Sequence, residues 1–346
     1  MKILIIGLGG IGQRHTRNIR ALLGDNVEII AYRTRGLSHV VTPTLGIEDG
    51  AHVETRYNLK VFTDLDKALA EKPNVAFICN PSSCHVEVAR KAAAASCDLF
   101  IEKPVSHTLE GLNDLAQVVG KQSLVPFVAY QLRYNPGVRY LKSLLESGKL
   151  GNILAVNAEV GEHLPSWHKY EDYRIMYASR KNLGGGVILS QIHEMDFLYH
   201  FFGLPVSIYA VGGHLSELEV DVEDTASILM KVNWEGRPIP IHIHQDYLQQ
   251  PPRRTCRIIG DAGKAELDFH AGTVVVHGTD GKVADKLDFS DMQRNDMFMN
   301  ELKHFFDCVA SRETTQIPLE AGVASLRMAL AAKESLETGQ PVELTP

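Results

Sequence analysis

Lys2-Ile3-Leu4-Ile5-Ile6-Gly7-Leu8-Gly9-Gly10-Ile11-Gly12 opens the chain with an apolar run that ends on a cluster of glycines. Ile3 to Ile6 carries no polar residue on either face, which reads as a short strand buried on both sides of a sheet. Gln13 to Leu23 follows as a helix and Val27 to Tyr32 as a second apolar strand. The spacing Gly7-x-Gly9-x-x-Gly12 therefore lies between a strand and a helix, with another strand next. That context separates a dinucleotide-binding turn from an ordinary glycine-rich one. The first glycine permits the tight turn, the second lets the backbone approach a pyrophosphate, and the third lets helix and strand pack closely. The free N–H groups and positive dipole end of the helix then face the phosphates. Gly7, Gly9, Gly10, Ile11 and Gly12 are the candidate cradle.

The end of the second strand, about 20 residues beyond the glycines, selects the cofactor. A carboxylate there would hold the ribose 2′-hydroxyl of NAD; this chain has Tyr32-Arg33-Thr34-Arg35. Two guanidiniums suit a 2′-phosphate through forked, charge-assisted bonds. Arg33, Thr34 and Arg35 thus predict NADP ahead of NAD, the alternative being that both arginines are solvated loop charges.

Outward from this unit the alternation continues. Asn74 to Cys79 is a buried strand ending at Asn80-Pro81, His85 to Ala95 an alanine-rich helix, and Leu99 to Ile101 a strand leading into Glu102-Lys103-Pro104. Thr108 to Gly120 is a helix and Val125 to Tyr130 a strand. Strict strand–helix alternation predicts a doubly wound parallel sheet, a Rossmann domain over residues 1–127. From residue 128 to 346 the pattern changes. Longer, alternating strands run at Ile153 to Val160, Val206 to Gly212, Ala226 to Val232, Ile239 to Gln245, Arg257 to Gly260, Ala265 to Phe269 and Thr273 to His277. They predict an α+β domain with a large, mostly antiparallel open sheet. One helix over Gly186 to Phe202 interrupts it, and helices at Asp296 to Ser311 and Leu319 to Thr338 end the chain, the last able to pack back on the first domain.

Length and composition exclude several classes. The 346 residues suit two domains, and a net charge of −7 lacks the basic surface that nucleic acid requires. Arg253-Arg254 is too short a cluster to make a polyanion groove. No apolar stretch approaches the roughly 20 residues of a membrane span, and the N-terminal run is too short for a signal peptide. Five cysteines, an odd number with no CxxC pair, suit reduced thiols in the cytoplasm, each most simply a small buried residue.

Four segments taken together, Gly7 to Gly12, Asn80-Pro81-Ser82-Ser83-Cys84-His85, Glu102-Lys103-Pro104, and Gly184-Gly185-Gly186 leading to His193-Glu194-Met195-Asp196, resemble the glucose–fructose oxidoreductase and inositol dehydrogenase family, Gfo/Idh/MocA. Their order and spacing carry the resemblance, which covers nearly the whole chain. It implies an NAD(P)-dependent oxidoreductase acting on a small, carbohydrate-like molecule. The active site would lie at the domain junction, and a homodimer or homotetramer would form through the open sheet.

Lys103 lies at the carboxyl end of the sheet, where doubly wound folds bind ligands. An ammonium there can stabilise a developing alkoxide, the role the resemblance implies for it. Glu102 would sit beside the nicotinamide ribose, with Asn80, Pro81 and His85 on the same cofactor; the plain alternative is a surface pair of Glu102 with Lys103. His193 is the candidate proton carrier; a lone helical histidine is more often structural, and the resemblance favours catalysis. Asp196, one turn on, is expected on the same face. Many relatives carry an aspartate three or four residues before this histidine, where the chain has Leu189 and Ser190, which weakens a cyclitol dehydrogenase reading. A non-catalytic dinucleotide sensor would keep the glycines and dispense with Lys103 and His193.

For the substrate the candidates are Gln131 and Arg133 at the crossover, Trp167 and Arg174 in an aromatic, polar loop, and Ser190, His193 and Asp196. Arg174 is the choice for an acidic substituent, an ordered surface loop being the alternative. His242, His244 and Asp246 alternate on one strand face, which fits a polar solvent face as well as a metal site, and no metal is expected.

Overall fold

A computed structural model of the chain describes residues 1–36, 39–168 and 170–345. The N-terminal run is strand β1 (Lys2–Ile6), and helix α1 (Gly10–Leu23) separates it from β2 (Glu28–Tyr32). A hairpin of β3 (His39–Val41) and β4 (Ile47–His52) leads through α2 (Val53–Tyr57) to β5 (Lys60–Phe62). Then come α3 (Leu65–Ala70), β6 (Val75–Ile78), α4 (His85–Ala94), β7 (Asp98–Glu102), α5 (Leu112–Lys121) and β8 (Pro126–Ala129). Among the described residues these strands form a six-stranded sheet in the order β5-β2-β1-β6-β7-β8, with every neighbouring pair parallel. The winding reverses between β1 and β6. The loops after those two strands therefore open the crevice where such sheets bind ligands.

Helix α6 (Pro136–Glu146) starts cleanly because Asn135 caps it, its side chain accepting from the Gly137 and Val138 amides. The second sheet is built from β9 (Ile153–Gly161), β10 (Ser207–Gly213), β11 (Thr225–Trp234), β12 (Arg237–Asp246), β13 (Arg253–Gly260), β14 (Gly263–Asp268), β15 (Thr273–Gly278), β16 (Val283–Asp288) and β17 (Val342–Glu343). Their order is β16-β15-β14-β13-β9-β12-β11-β10-β17, antiparallel except for β9 beside β12. Alternation sorts the two faces. Val156, Ile241, Met230 and Ile208 form one buried row across four strands, while the next row, Asn157, His242, Leu229 and Tyr209, is at least partly exposed.

Helices α7 (Val187–Ser190) and α8 (His193–Phe202) lie between β9 and β10, and α9 (Arg294–Ser311) and α10 (Leu319–Thr338) between β16 and β17. The last two tie the sheets together: Phe305 of α9 packs edge-on to Phe77 and Phe100 of the parallel sheet, and the Val128 amide donates to the Ile317 carbonyl at 2.9 Å. No described helix is long and apolar enough to cross a membrane.

Three details depart from the sequence reading. The single helix expected over Gly186 to Phe202 is broken at Gln191-Ile192. Strand β13 begins at Arg253, four residues before the expected Arg257. Strands β3, β4, β5, β16 and β17 were not expected; among the described residues β16 is an edge strand paired only with β15, and it is exposed along nearly its whole length.

Candidate active site

The crevice after β1 is shaped for a dinucleotide. No side chain caps α1 and no acidic residue lies in its first turn, so its leading N–H groups remain available to an anion. A side chain at Gly12 would strike the Gly7 carbonyl, and Gly7, at φ +97°, abuts the backbone of Cys79 and Asn80. Space above Gly9 is open. Across the crevice, Asn80 Oδ1 is buried with no hydrogen-bond partner among the described residues, an exception that calls for a ligand's donor. Uncapped amides, an open Gly9 and an orphaned acceptor together fit a pyrophosphate and a ribose.

The turns after β6 and β7 meet at His85. His85 lies between the Asn80 carbonyl, 2.8 Å from Nε2, and the Pro104 carbonyl, 2.9 Å from Nδ1, and its neutral ring donates its one N–H to one of them. His85, expected as a cofactor contact, sits between the turns that carry Asn80-Pro81 and Glu102-Lys103-Pro104. Glu102 Oε1 is 2.6 Å from the Nε2 of buried His15, which fixes the carboxylate at the strand end. At the end of β2, Arg33 is ion-paired with Glu54 from α2, and Arg35 stands 3.8 Å from Glu171. A carboxylate thus reaches this strand end from another element, which the local sequence did not reveal. The Tyr170 hydroxyl lies against Gly10, so the loop after β9 reaches over the glycine turn.

The break between α7 and α8 creates the second half of the site. Ending α7 releases two carbonyls from the helical ladder. Lys103 Nζ donates to the Ser190 carbonyl at 2.7 Å, and Gln245 Nε2 donates to the Gln191 carbonyl at 2.6 Å. Gln191 Nε2 in turn donates to the Asp246 carbonyl at 3.0 Å. His193 then begins α8, 4% exposed, with Tyr130 edge-on at 5.8 Å. Burial, reinforced by the charges of Lys103, Arg254 and Arg294, pushes its pKa well below the usual imidazole value. The positive end of α8 acts in the same direction. His193 is therefore neutral at neutral pH and able to take a proton. Tyr130 Oη, Ser190 Oγ and His193 Nδ1 are all buried with no hydrogen-bond partner among the described residues. The unpartnered Ser190 Oγ and His193 Nδ1, next to the carbonyl that holds the Lys103 ammonium, suit a molecule carrying hydroxyl groups.

The profile of an oxidoreductase family's NAD-binding Rossmann fold, GFO_IDH_MocA, matches residues 1–130, and that of its C-terminal alpha/beta domain matches residues 142–344. The chain belongs to this family. As a Gfo/Idh/MocA protein it is a nicotinamide-dinucleotide-dependent oxidoreductase, and the sensor reading falls away. Among its relatives, the uncharacterized oxidoreductase YrbE of Bacillus subtilis is 25% identical over 98% of this chain and 95% of its own length. The myo-inositol 2-dehydrogenase of Thermotoga maritima is 25% identical over 99% and 98%. In fold, the chain matches the WlbA dehydrogenase of Bordetella pertussis, solved with NADH and UDP-GlcNAcA, at a TM-score of 0.79 and 20% identity, covering 100% of this chain and 99% of that one.

Several expected substrate residues of this Gfo/Idh/MocA chain are occupied elsewhere. Arg133 and Asp196 form a buried, two-pronged ion pair at 2.8 and 2.7 Å, and Ser325 Oγ donates to Asp196 at 3.0 Å. Asp196 therefore turns toward α10 and does not share a bonding partner with His193. Arg174 is held by Asp172 at 2.7 Å and Glu219 at 3.3 Å, its charge already answered. Trp167 packs edge-on to Tyr247 at 5.4 Å with its indole nitrogen buried. The Gln131 side chain has no hydrogen bond to a described residue. On the outer sheet face, His244 bonds Ser227 at 2.9 Å and Asp246 at 3.1 Å. Sequence reasoning missed Tyr130, Gln191, Gln245 and the buried pair of Arg254 with Glu194, at 2.7 and 2.9 Å. The doublet Arg253-Arg254 was the only local signal, and it read as surface charge.

Proposed function

We propose that the chain moves a hydride between a nicotinamide dinucleotide and a ring or chain carbinol carbon of a sugar, amino-sugar or sugar-acid derivative. The names of the relatives support the substrate class. The observation that carries the reading is the approach of Lys103 Nζ to the helix break that begins His193, 2.7 Å from the Ser190 carbonyl. Residues 1–127 would hold the cofactor through Gly7, Gly9, Gly10, Ile11, Gly12, Asn80, Pro81 and Glu102; residues 128–346 would supply most of the substrate wall. When bound, nicotinamide supplies the hydride acceptor or donor. Lys103 has N–H bonds left to hold the reacting oxygen and stabilise its developing charge. His193, neutral in the free enzyme, takes the hydroxyl proton in oxidation and returns it in reduction. Lys103→Ala and His193→Ala, each checked for folding by circular dichroism, are expected to lose at least about a hundredfold in kcat. Near-normal turnover in either variant removes that residue from the mechanism.

A cyclitol dehydrogenase is the second reading, favoured by the T. maritima relative. Against it, the positions where many relatives carry an aspartate hold the buried Leu189 and Ser190. Turnover of myo-inositol above that of every sugar tested would establish it.

The two arginines led to NADP, but Arg33 already has a carboxylate partner in Glu54. We propose that NAD is used at least as well, because a 2′-phosphate would meet that carboxylate while a 2′-hydroxyl can donate to it. We also propose a homodimer or homotetramer through the outer face of the large sheet, where Tyr209, Val211 and Leu229 are exposed side by side. A cytoplasmic location is supported by five free cysteines, four of them buried.

A further inference from the structure

The connection from β9 to α7, between Gly161 and Val187, holds only short 3₁₀ turns, at Leu164–Ser166, Tyr173–Ile175, Tyr177–Ser179 and Lys181–Leu183. Irregular connections longer than about 12–15 residues in a compact fold usually serve a function. This one leaves its own domain and rests on both banks of the dinucleotide crevice. On one bank, the Tyr170 hydroxyl lies against Gly10 at the start of α1, its ring stands 5.7 Å from that of His39, and Glu171 is 3.8 Å from Arg35 beyond β2. On the other, Ser82 Oγ, in the turn after β6, stands 3.2 Å from the Leu183 and Gly184 carbonyls and donates to this pair. The root of the segment is anchored in its own domain. The Leu164 amide donates to the Tyr247 carbonyl at 2.9 Å, Trp167 packs against the Tyr247 ring, and His168 stacks on Tyr170 at 5.0 Å.

This crossing explains Gly10. The dinucleotide fingerprint calls for Gly7, Gly9 and Gly12 and demands nothing at position 10, where a helix gains from almost any other side chain. Gly7 and Gly12 are pressed by backbone of their own domain, whereas among the described residues a Cβ on Gly10 would meet only Tyr170. The Tyr170 hydroxyl has no hydrogen bond to a described residue. Burial pushes its pKa up to about 12, so it stays a donor at neutral pH. Among the described residues nothing lies within 4 Å of the place a Cβ would take on Gly9. The tyrosine therefore flanks the approach of a pyrophosphate without filling it.

We propose that the second domain lays this segment over the dinucleotide as a clasp, with Tyr170 donating to the pyrophosphate, so that the cofactor leaves slowly. The proposal rests on the family's dinucleotide site and not on the choice of substrate. Phosphate oxygens held by the amides of α1 would lie beside the tyrosine, and a hydroxyl bonded to a charged phosphate is among the stronger hydrogen bonds. A segment that touches both banks must lift before the adenosine half can leave, and a step of that kind acts on the release rate. The loop expected to hold the substrate thus serves the cofactor at Tyr170.

The test is the rate of NADH release, read by stopped-flow fluorescence as excess NAD displaces bound NADH. It compares the wild type with Tyr170→Phe, Tyr170→Ala, Gly10→Ala and the double variant of Gly10→Ala with Tyr170→Ala, each checked for folding by circular dichroism. Tyr170→Ala is expected to raise the rate at least about tenfold, and Tyr170→Phe, which loses only the hydroxyl, by less. Gly10→Ala should speed release about as much as Tyr170→Ala, because the added methyl pushes the tyrosine off. The double variant should then release NADH no faster than Tyr170→Ala alone. A rate unchanged by Tyr170→Ala overturns the proposal, and so does slower release, which would make the tyrosine a competitor for the site. Effects of the two substitutions that multiply overturn it as well, since Gly10 would then act on the turn itself. A wild type that binds no NADH would overturn the clasp and the dinucleotide site together. Tight binding indifferent to Tyr170 would remove the clasp alone and leave the hydride-transfer reading in place.

Discussion

The two walls of the cleft are built in opposite ways. The cofactor wall is backbone: glycines that admit close contact, uncapped amides at the start of α1, and a histidine whose ring sits between two turns. The opposite wall is side chains, gathered from the end of β7, the break between α7 and α8, and β13. Within it, neighbours in sequence have opposite fates. Glu194 and Asp196 are absorbed by buried arginines, while His193 beside them keeps an orphaned Nδ1. Backbone sites tolerate little change in residue size; side-chain sites depend on which partners are already satisfied.

The comparison can be broken at several points. The largest expected effect is on the buried Arg254 and Glu194 pair. Arg254→Leu strands a carboxylate that is 0% exposed, and removal of one partner of such a pair costs about 3–5 kcal/mol. Urea denaturation should show that loss, and a change under about 1 kcal/mol would mean that the pair is not formed in solution. On the backbone wall, Gly12→Ala drives a methyl group into the Gly7 carbonyl. NADH affinity should fall at least about tenfold, and an unchanged dissociation constant would show that the turn is looser than described.

Glu301 sharpens the contrast, because it is a buried carboxyl with both oxygens unpartnered, close to Glu102. Burial holds its pKa well above the usual carboxylate value. As pH rises from about 4.5, the unfolded chain releases this proton first, so stability falls until the folded-state value is passed. Each unit of elevation removes about 1.4 kcal/mol at high pH. Glu301→Gln should flatten this part of the stability–pH curve between pH 5 and 8, and an identical slope in both proteins would exclude the effect. The smallest change is expected at Glu54→Gln. Removing the carboxylate beside Arg33 should raise kcat/KM for NADPH relative to NADH by roughly threefold to tenfold. No shift in that ratio would place the cofactor's 2′ position elsewhere.

How much of this the sequence disclosed follows the same division. The glycine turn, the parallel sheet and the Lys103 position are local facts, visible because strand, turn and helix adjoin in the chain. The helix break was hidden, since Val187 to Phe202 is apolar enough to run on. It is stabilised by Gln245 and Lys103, which are distant in sequence and claim the two released carbonyls. Arg133 and Arg174 looked like ligand residues because nothing local shows that Asp196 and Asp172 with Glu219 answer them. Strand β16 lacked a signal because an edge strand with both faces wet has no apolar alternation.

The central claim is that Lys103 and His193 form one electrostatic unit, the ammonium helping to keep the imidazole neutral. NMR titration of His193 in the wild type and in Lys103→Met tests it most directly. The account predicts a wild-type pKa below the ordinary imidazole value and an upward shift when the ammonium is removed. An ordinary value in the wild type, or one indifferent to residue 103, would contradict it.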